Sequence, residues 1–240
     1  MILLDFYSYS CMNCRRSLLE ISKLAEAYRK EGLKTLLIHP PEWEYEKKRS
    51  TVSKGYKGEL PLILDREKEI LRHFRVSFWP AQILLKNGRI TYKHIGEGSY
   101  RKLEMAIVQG LDAVDKKIFL KEKLPLPLPA VYLGIRKGNN SIKKIVRLEG
   151  KWERSAECLK GTGIVHISMR GRVFYLVAGS NRNKTNMLTI NGKKDISVSI
   201  PGCYRIAGYR IMGEKMISIQ AKKAVKLYAI IAASRSIRGA

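Results

Sequence analysis

The chain has 240 residues, 45% of them hydrophobic, with 46 Lys+Arg against 21 Asp+Glu and a formal net charge of +25. That apolar content excludes global disorder, and the length suits two domains of ordinary size better than one. No run of about 18 apolar residues exists to span a membrane, and Met1–Leu4 is too short for the apolar core of a secretion signal, so the expectation is a cytoplasmic chain without a transmembrane segment.

The first 115 residues alternate strand and helix signals. Ile2–Tyr7 is an apolar run that reads as a buried strand. Ser10 takes the N-cap position of a helix, and from Cys14 to Lys30 apolar residues recur at Leu18, Ile21, Leu24, Ala25 and Tyr28 with helical spacing. Gly32 closes that helix. Leu33–His39 is a second strand, stopped by Pro40-Pro41, and Glu42–Lys54 reads as a charged helix. Leu60–Leu64 is a third strand and Arg66–Phe74 a short helix. Gln82–Lys86 and Ile90–Ile95 form a hairpin through Asn87-Gly88, and Tyr100–Lys117 is the last helix. The order β-α-β-α-β-α-β-β-α predicts an α/β fold on a mixed sheet over 1–117.

The alternating prolines of Leu124-Pro125-Leu126-Pro127-Leu128-Pro129 cannot donate to a ladder and favour polyproline II, which predicts a linker over 118–129. From 130 to 240 short β-type runs recur about every ten residues, separated by turn signals at Gly138-Asn139, Arg170-Gly171, Asn191-Gly192 and Pro201-Gly202. This predicts an all-β jelly roll or β-sandwich. The charge is uneven: 1–115 holds 20 basic and 15 acidic residues, 116–240 holds 26 and 6. A field of that sign attracts anions, although no long basic run forms, and a solvated lysine-rich surface explains it equally.

The chemistry concentrates at Cys11-Met12-Asn13-Cys14, where a strand hands over to a helix. Disulfide exchange needs an exposed thiolate to attack and a second thiol to resolve the mixed disulfide. The first turn of a helix favours thiolate at the first cysteine, and the second lies one turn on, less exposed. Cys11 is the candidate nucleophile and Cys14 the resolver, with Met12 and Asn13 tuning the potential and meeting substrate. A C-x-x-C is also half of a zinc site, but His39, His73, His94 and His166 form no paired motif with Cys158 or Cys203, so no metal is expected. A peroxidatic loop needs a proline where Leu4 stands.

The segment Leu3-Leu-Asp-Phe-Tyr-Ser-Tyr-Ser-Cys-Met-Asn-Cys14 resembles the thioredoxin-like superfamily, and more narrowly its TlpA-like, DipZ-type redoxins. His39-Pro40-Pro41-Glu42, Pro61–Asp65, Trp79-Pro80-Ala81 and Gly96-Glu97-Gly98 follow in the order of that family. The resemblance implies that Asp5 is a buried carboxylate that takes the proton of Cys14. It further implies that Pro80 is a cis-proline facing the disulfide, with the backbone of Trp79 open to an extended substrate. Trp79 is a substrate platform or a core residue, and Glu42 lies near the thiols or in solvent. In the family a galactose-binding-like β-sandwich follows, and 130–235 is similar in outline. The multi-helix membrane portion of full-length DipZ proteins is missing from this chain, which leaves the electron donor unknown.

In the second domain Cys158 and Cys203 either pair or stand as buried thiols. Trp152, Tyr175 and Tyr204 form either a sugar platform or part of the core, the latter being usual at β spacing. The leading expectation is a thiol–disulfide oxidoreductase acting on protein disulfides or dithiols, with no cofactor beyond the Cys11–Cys14 disulfide. The alternative is a protein that binds an anionic partner, nucleic acid or glycan, through its basic β-domain, with the first domain as scaffold or redox sensor.

Overall fold

The structure, a computed structural model, describes residues 1–113, 118–120, 128–137, 145–180 and 185–236. The chain divides into two compact units, Met1–Pro125 and Leu126–Arg238. The 121–127 stretch of the expected linker, the Gly138-Asn139 turn, residues 142–144 of one expected strand and residues 114–117 of the last helix lie outside the described residues. Among the described residues no helix is long and apolar enough to cross a membrane.

The first unit is a five-stranded sheet in the order β3-β2-β1-β4-β5, built from Ile2–Phe6 (β1), Lys34–His39 (β2), Leu62–Leu64 (β3), Ala81–Lys86 (β4) and Arg89–Ile95 (β5). β1, β2 and β3 run parallel, β4 runs antiparallel to β1, and β5 runs antiparallel to β4. Side chains alternate across a strand. Leu3 therefore packs with Ile21, Leu24 and Tyr28 of α1 (Met12–Tyr28) and with Leu103 and Ile107 of α4 (Tyr100–Gly110). Leu4 and Phe6 pack on the opposite face with Leu71 of α3 (Glu69–His73) and with Val76. Asp5 shares the parity of Leu3 and so belongs to the α1 face.

Local signals place the turns. Gly32, at φ +95°, closes α1, where the Leu33 N–H reaches Tyr28 O at 3.0 Å; an αL residue after a helix favours glycine. Asn87 and Gly88 both have positive φ, the pattern of a two-residue hairpin between β4 and β5. Both carboxyl oxygens of Asp65 accept from the first turn of α3, Ile70 N at 3.2 Å and Leu71 N at 2.8 Å, so that helix starts later than expected. The buried carboxylate of Glu104 accepts from Tyr28 OH, Phe119 N and Leu120 N and ties 118–120 to the helices. The single helix expected over Glu42–Lys54 is instead a 3₁₀ turn at Glu44–Lys47 and α2 at Arg49–Gly55, separated by extended Lys48. The break follows from Glu46, whose side chain turns into the protein and is fully buried.

The second unit is all β. Ala130–Tyr132 (β6), Val146–Arg154 (β7), Leu159–Ser180 (β8), Asn186–Ile190 (β9), Lys194–Val198 (β10) and Gly202–Ala233 (β11) form one sheet in the order β10-β9-β11-β8-β7, with β6 paired to β11. The runs Gly163–Met169 and Val173–Ala178 belong to one strand, and Tyr204–Tyr209, Met216–Gln220 and Val225–Ala232 to another. Arg170-Gly171 is not a turn: Arg170 pairs with Glu214 and Gly171 with Gly213, so the ladder bends there without breaking. Residues 173–178 pair on one side with 202–208 and on the other with 227–233 of the same β11, which folds the sheet back on itself. Gly161 and Gly163 sit where β7 approaches closely; a Cβ on Gly163 would lie 2.0 Å from Glu149 O. They serve strand packing, not a phosphate loop.

Phe174 is fully buried in the core of this unit. Phe174→Ala is expected to lower the unfolding free energy by about 3–5 kcal/mol, read as a lower denaturant midpoint for the loss of β-type circular dichroism.

Candidate active site

β1 is the central strand of the first sheet, and its C-terminal end delivers the loop Tyr7–Ser10 to the start of α1. The N-cap is Cys11, not Ser10. Its Sγ accepts the Cys14 N–H at 3.2 Å, and its own N–H donates to Ser8 O at 3.1 Å. Ser10 does not cap the helix because its hydroxyl donates to the Glu46 carboxylate. A sulfur in the N-cap position lies among unpaired N–H groups, where negative charge is favoured. Cys11 is half-exposed and Cys14 fully buried, and both are free thiols. Burial pushes the Cys14 thiol well above its ordinary range, with the Cys11 hydrogen bond and the charges of Cys11 and Asp5 adding to the effect.

Asp5 is fully buried, and burial raises its carboxyl to about 7. Gln82, its neighbour across the β1–β4 ladder, donates to Asp5 Oδ1 at 2.7 Å and from the same nitrogen to Ser17 Oγ of α1 at 3.2 Å. Asp5 Oδ2 is buried without a hydrogen-bond partner. An acid that titrates near neutrality, within electrostatic reach of the resolving thiol, is suited to exchange a proton with it.

The Trp79–Pro80 peptide is cis, and Pro80 O accepts the Gly96 N–H at 2.8 Å. Trp79 is half-buried and packs, as Cys11 does, against the cluster of Tyr7, Tyr9, Cys14, Leu37 and Val52. Lys68 Nζ lies 5.2 Å from the centre of its ring. The adjoining Phe78 is 55% exposed, an apolar side chain that a strand-and-helix reading overlooks.

The dipeptide between the thiols divides. Asn13 is half-exposed and accepts from Arg16 Nη2 at 3.2 Å. Met12 is only 2% exposed, so its side chain belongs to the interior and not to a substrate-facing surface; as the first residue of α1 it falls on the inward side of the turn. Arg15 and Arg16 are pinned rather than free in solvent: Arg15 Nε donates to Tyr9 O at 2.6 Å, and Arg16 pairs with Glu97 at 2.5 Å. Glu42 contributes its backbone, whose N–H donates to Glu46 Oε2 at 2.7 Å. The carboxylate that reaches the Ser8–Ser10 loop is that of Glu46, one helical turn further on. The Pro40-Pro41-Glu42 motif points to the right loop, but no sequence pattern marks which glutamate turns inward.

In the second unit Cys158 and Cys203 are buried free thiols, and burial raises that of Cys158. Tyr175 is fully buried, Trp152 and Tyr204 are partly buried against the core that holds Phe174 and Leu176, and Trp152 Nε1 donates to Glu149 O, so the three aromatics are engaged in packing.

The strand order, the C-x-x-C at the head of α1 and the cis-proline before β4 make the first unit thioredoxin-like. No family model matches the chain. Over 130 residues it is 32% identical to the protein DipZ of Mycobacterium bovis, an alignment covering 52% of this chain and 18% of DipZ. It is 25% identical over 181 residues to NHL repeat-containing protein 2 of Gallus gallus, covering 69% of this chain and 25% of that protein. The chain thus spans a quarter or less of the length of these relatives. Among solved structures, StoA from Bacillus subtilis matches with a TM-score of 0.37 and 19% identity, over 44% of this chain and 80% of StoA.

Asp5 in the unfolded chain loses its proton near 3.8, and in the folded chain near 7. The stability that rests on its neutral form is therefore full below pH 3.8 and falls as pH rises to about 7. Asp5→Asn is expected to stabilise the protein at pH 8 by up to about 4 kcal/mol and to change little at pH 3.5, measured by urea unfolding at the two pH values.

Proposed function

We propose that the chain is a thiol–disulfide oxidoreductase that exchanges disulfides with protein substrates through Cys11 and Cys14. The observation that carries this reading is the half-exposed Cys11 sulfur at the helix N-cap, with the buried Cys14 one turn below it. The Cys11 thiolate attacks a substrate disulfide, forming a Cys11–substrate disulfide and releasing one substrate sulfur as thiolate, which takes a proton from water. Cys14 then gives its proton to Asp5 and attacks Cys11 Sγ. The Cys11–Cys14 disulfide forms and the second substrate sulfur leaves. The substrate gains two electrons and the cysteine pair loses them; run backwards, the same steps oxidise a dithiol. Asp5 serves the resolving step because burial has moved it toward neutrality, where an acid–base group is most effective. Exposed Phe78 and half-buried Trp79, just before Pro80, supply an apolar rim for an extended peptide.

Cys11→Ser is expected to reduce insulin no faster than dithiothreitol alone. Cys14→Ser is expected to accumulate a mixed disulfide, visible as a mass adduct on non-reducing gels. Asp5→Asn keeps the attack but slows resolution at pH 7, with turnover falling by about 10². Insulin reduction that survives Cys11→Ser overturns the assignment.

A further inference from the structure

A second buried acid touches the loop that precedes Cys11, and the exchange mechanism leaves it unused. Glu46 is fully buried at the end of the 3₁₀ turn. Its carboxylate gathers the segment that immediately precedes Cys11. Ser8 Oγ lies 3.1 and 3.0 Å from its two oxygens, Ser10 Oγ donates to Oε1, and the Glu42 N–H donates to Oε2 at 2.7 Å. Ser8 is also the residue whose carbonyl accepts the Cys11 N–H. The acid is thus linked to Cys11 through both ends of the Ser8–Ser10 loop.

The groups facing Glu46 do not neutralise it. Among the described residues His39, from the end of β2, is the basic group in contact, with Nε2 at 4.0 Å from Oε2. That nitrogen accepts the Tyr9 N–H at 3.3 Å, Nδ1 has no hydrogen-bond partner, and burial lowers the ring to about 4. His39 is therefore neutral at physiological pH. Glu42, from the same loop, carries a like charge, and the β1–α1 loop presents only hydroxyls and the Tyr9 ring. Burial, with Glu42 adding to it, raises Glu46 to about 8 despite its hydrogen bonds.

We propose that Glu46 is the positioning residue of the nucleophile: through Ser8 and Ser10 it holds the Cys11 loop, and its protonation is coupled to the redox state of the Cys11–Cys14 pair. Ser10 adjoins Cys11 in the chain and touches the carboxylate, which places the acid within roughly 10 Å of the sulfur. A negative charge that develops on the Cys11 sulfur in the reduced protein opposes ionisation of Glu46; in the disulfide there is no such charge. By linkage the effect is reciprocal: ionisation of Glu46 is felt at Cys11 Sγ as the redox change at Cys11 is felt at Glu46. Reduction of the disulfide then takes up two electrons and, between the two Glu46 midpoints, part of an extra proton at Glu46. A charge about 10 Å away through an effective dielectric near 20 moves such a midpoint by about one pH unit.

This inference rests on the oxidoreductase reading for its biological meaning, but its test does not use a substrate. The full chain is labelled with carbon-13 at the glutamate side-chain carboxyl, which leaves Asp5 silent, and titrated by NMR as the disulfide and as the dithiol. One resonance, missing from the E46Q or E46D spectrum, is expected to titrate far above the other glutamates and about one pH unit higher in the dithiol. Ser10→Ala is expected to alter that difference, and E46Q to remove the step near pH 8 from the alkylation profile of Cys11, whereas D5N leaves that step in place. A purely structural role scales alkylation equally at every pH. Equal midpoints in the two redox states overturn the coupling even if insulin is reduced. A shifted midpoint together with failed insulin reduction overturns the enzyme reading alone.

Discussion

The 3.2 Å hydrogen bond from the Cys14 N–H to Cys11 Sγ is the contact around which the first unit is arranged. It makes sulfur, rather than a serine oxygen, the cap of α1, and so sets the Cys11 sulfur among the unpaired amides of a helix start. It exists because β1 runs through the middle of the sheet and ends directly before that helix. The flanking strands β2 and β4 fix the direction of β1 by ladders on both sides. Moving the cap by one residue would turn Cys14 away from its buried position beneath Cys11.

The same loop explains why two acids are buried beside it. Burying a carboxylate is costly unless its lone pairs are satisfied. Asp5 keeps one hydrogen bond, from Gln82, and leaves one oxygen bare, which favours the neutral acid. Glu46 gathers donors from Ser8, Ser10 and Glu42 and still titrates high, because desolvation and a neighbouring carboxylate outweigh them. The two acids are thus held by different means. Asp5, on the sheet, is within electrostatic reach of Cys14; Glu46, on the 3₁₀ turn, touches the loop that carries Cys11.

The second unit follows another rule. Its two long strands, β8 and β11, bend at Gly171 and Gly213 and stay paired with each other. One continuous ladder therefore serves stretches that alternate like separate strands. The aromatic residues Tyr175 and Phe174 and the thiols Cys158 and Cys203 are spent on its interior.

Much of the first unit was legible in sequence because its signals are local. Strand β1, the period of α1, the αL glycine at its end and the Asn87-Gly88 hairpin each depend on neighbours within a few residues. The C-x-x-C was readable for the same reason, the cis-proline at Pro80 came from the family resemblance, and the all-β character of the second half followed from its repeating short apolar runs. Other features needed the tertiary structure. Ser10 and Cys11 are both acceptable caps by local rules, and only the arrival of Glu46, 36 residues later, takes the Ser10 hydroxyl away. Glu42 and Glu46 are alike in sequence, and only the split of the charged segment turns one of them inward. The apolar runs of the second half predicted strands, but whether a glycine between them bends a ladder or ends it depends on a partner strand more than 40 residues away. Local spacing thus marked the candidate thiol pair, and long-range burial decided the protonation of the acids beside it.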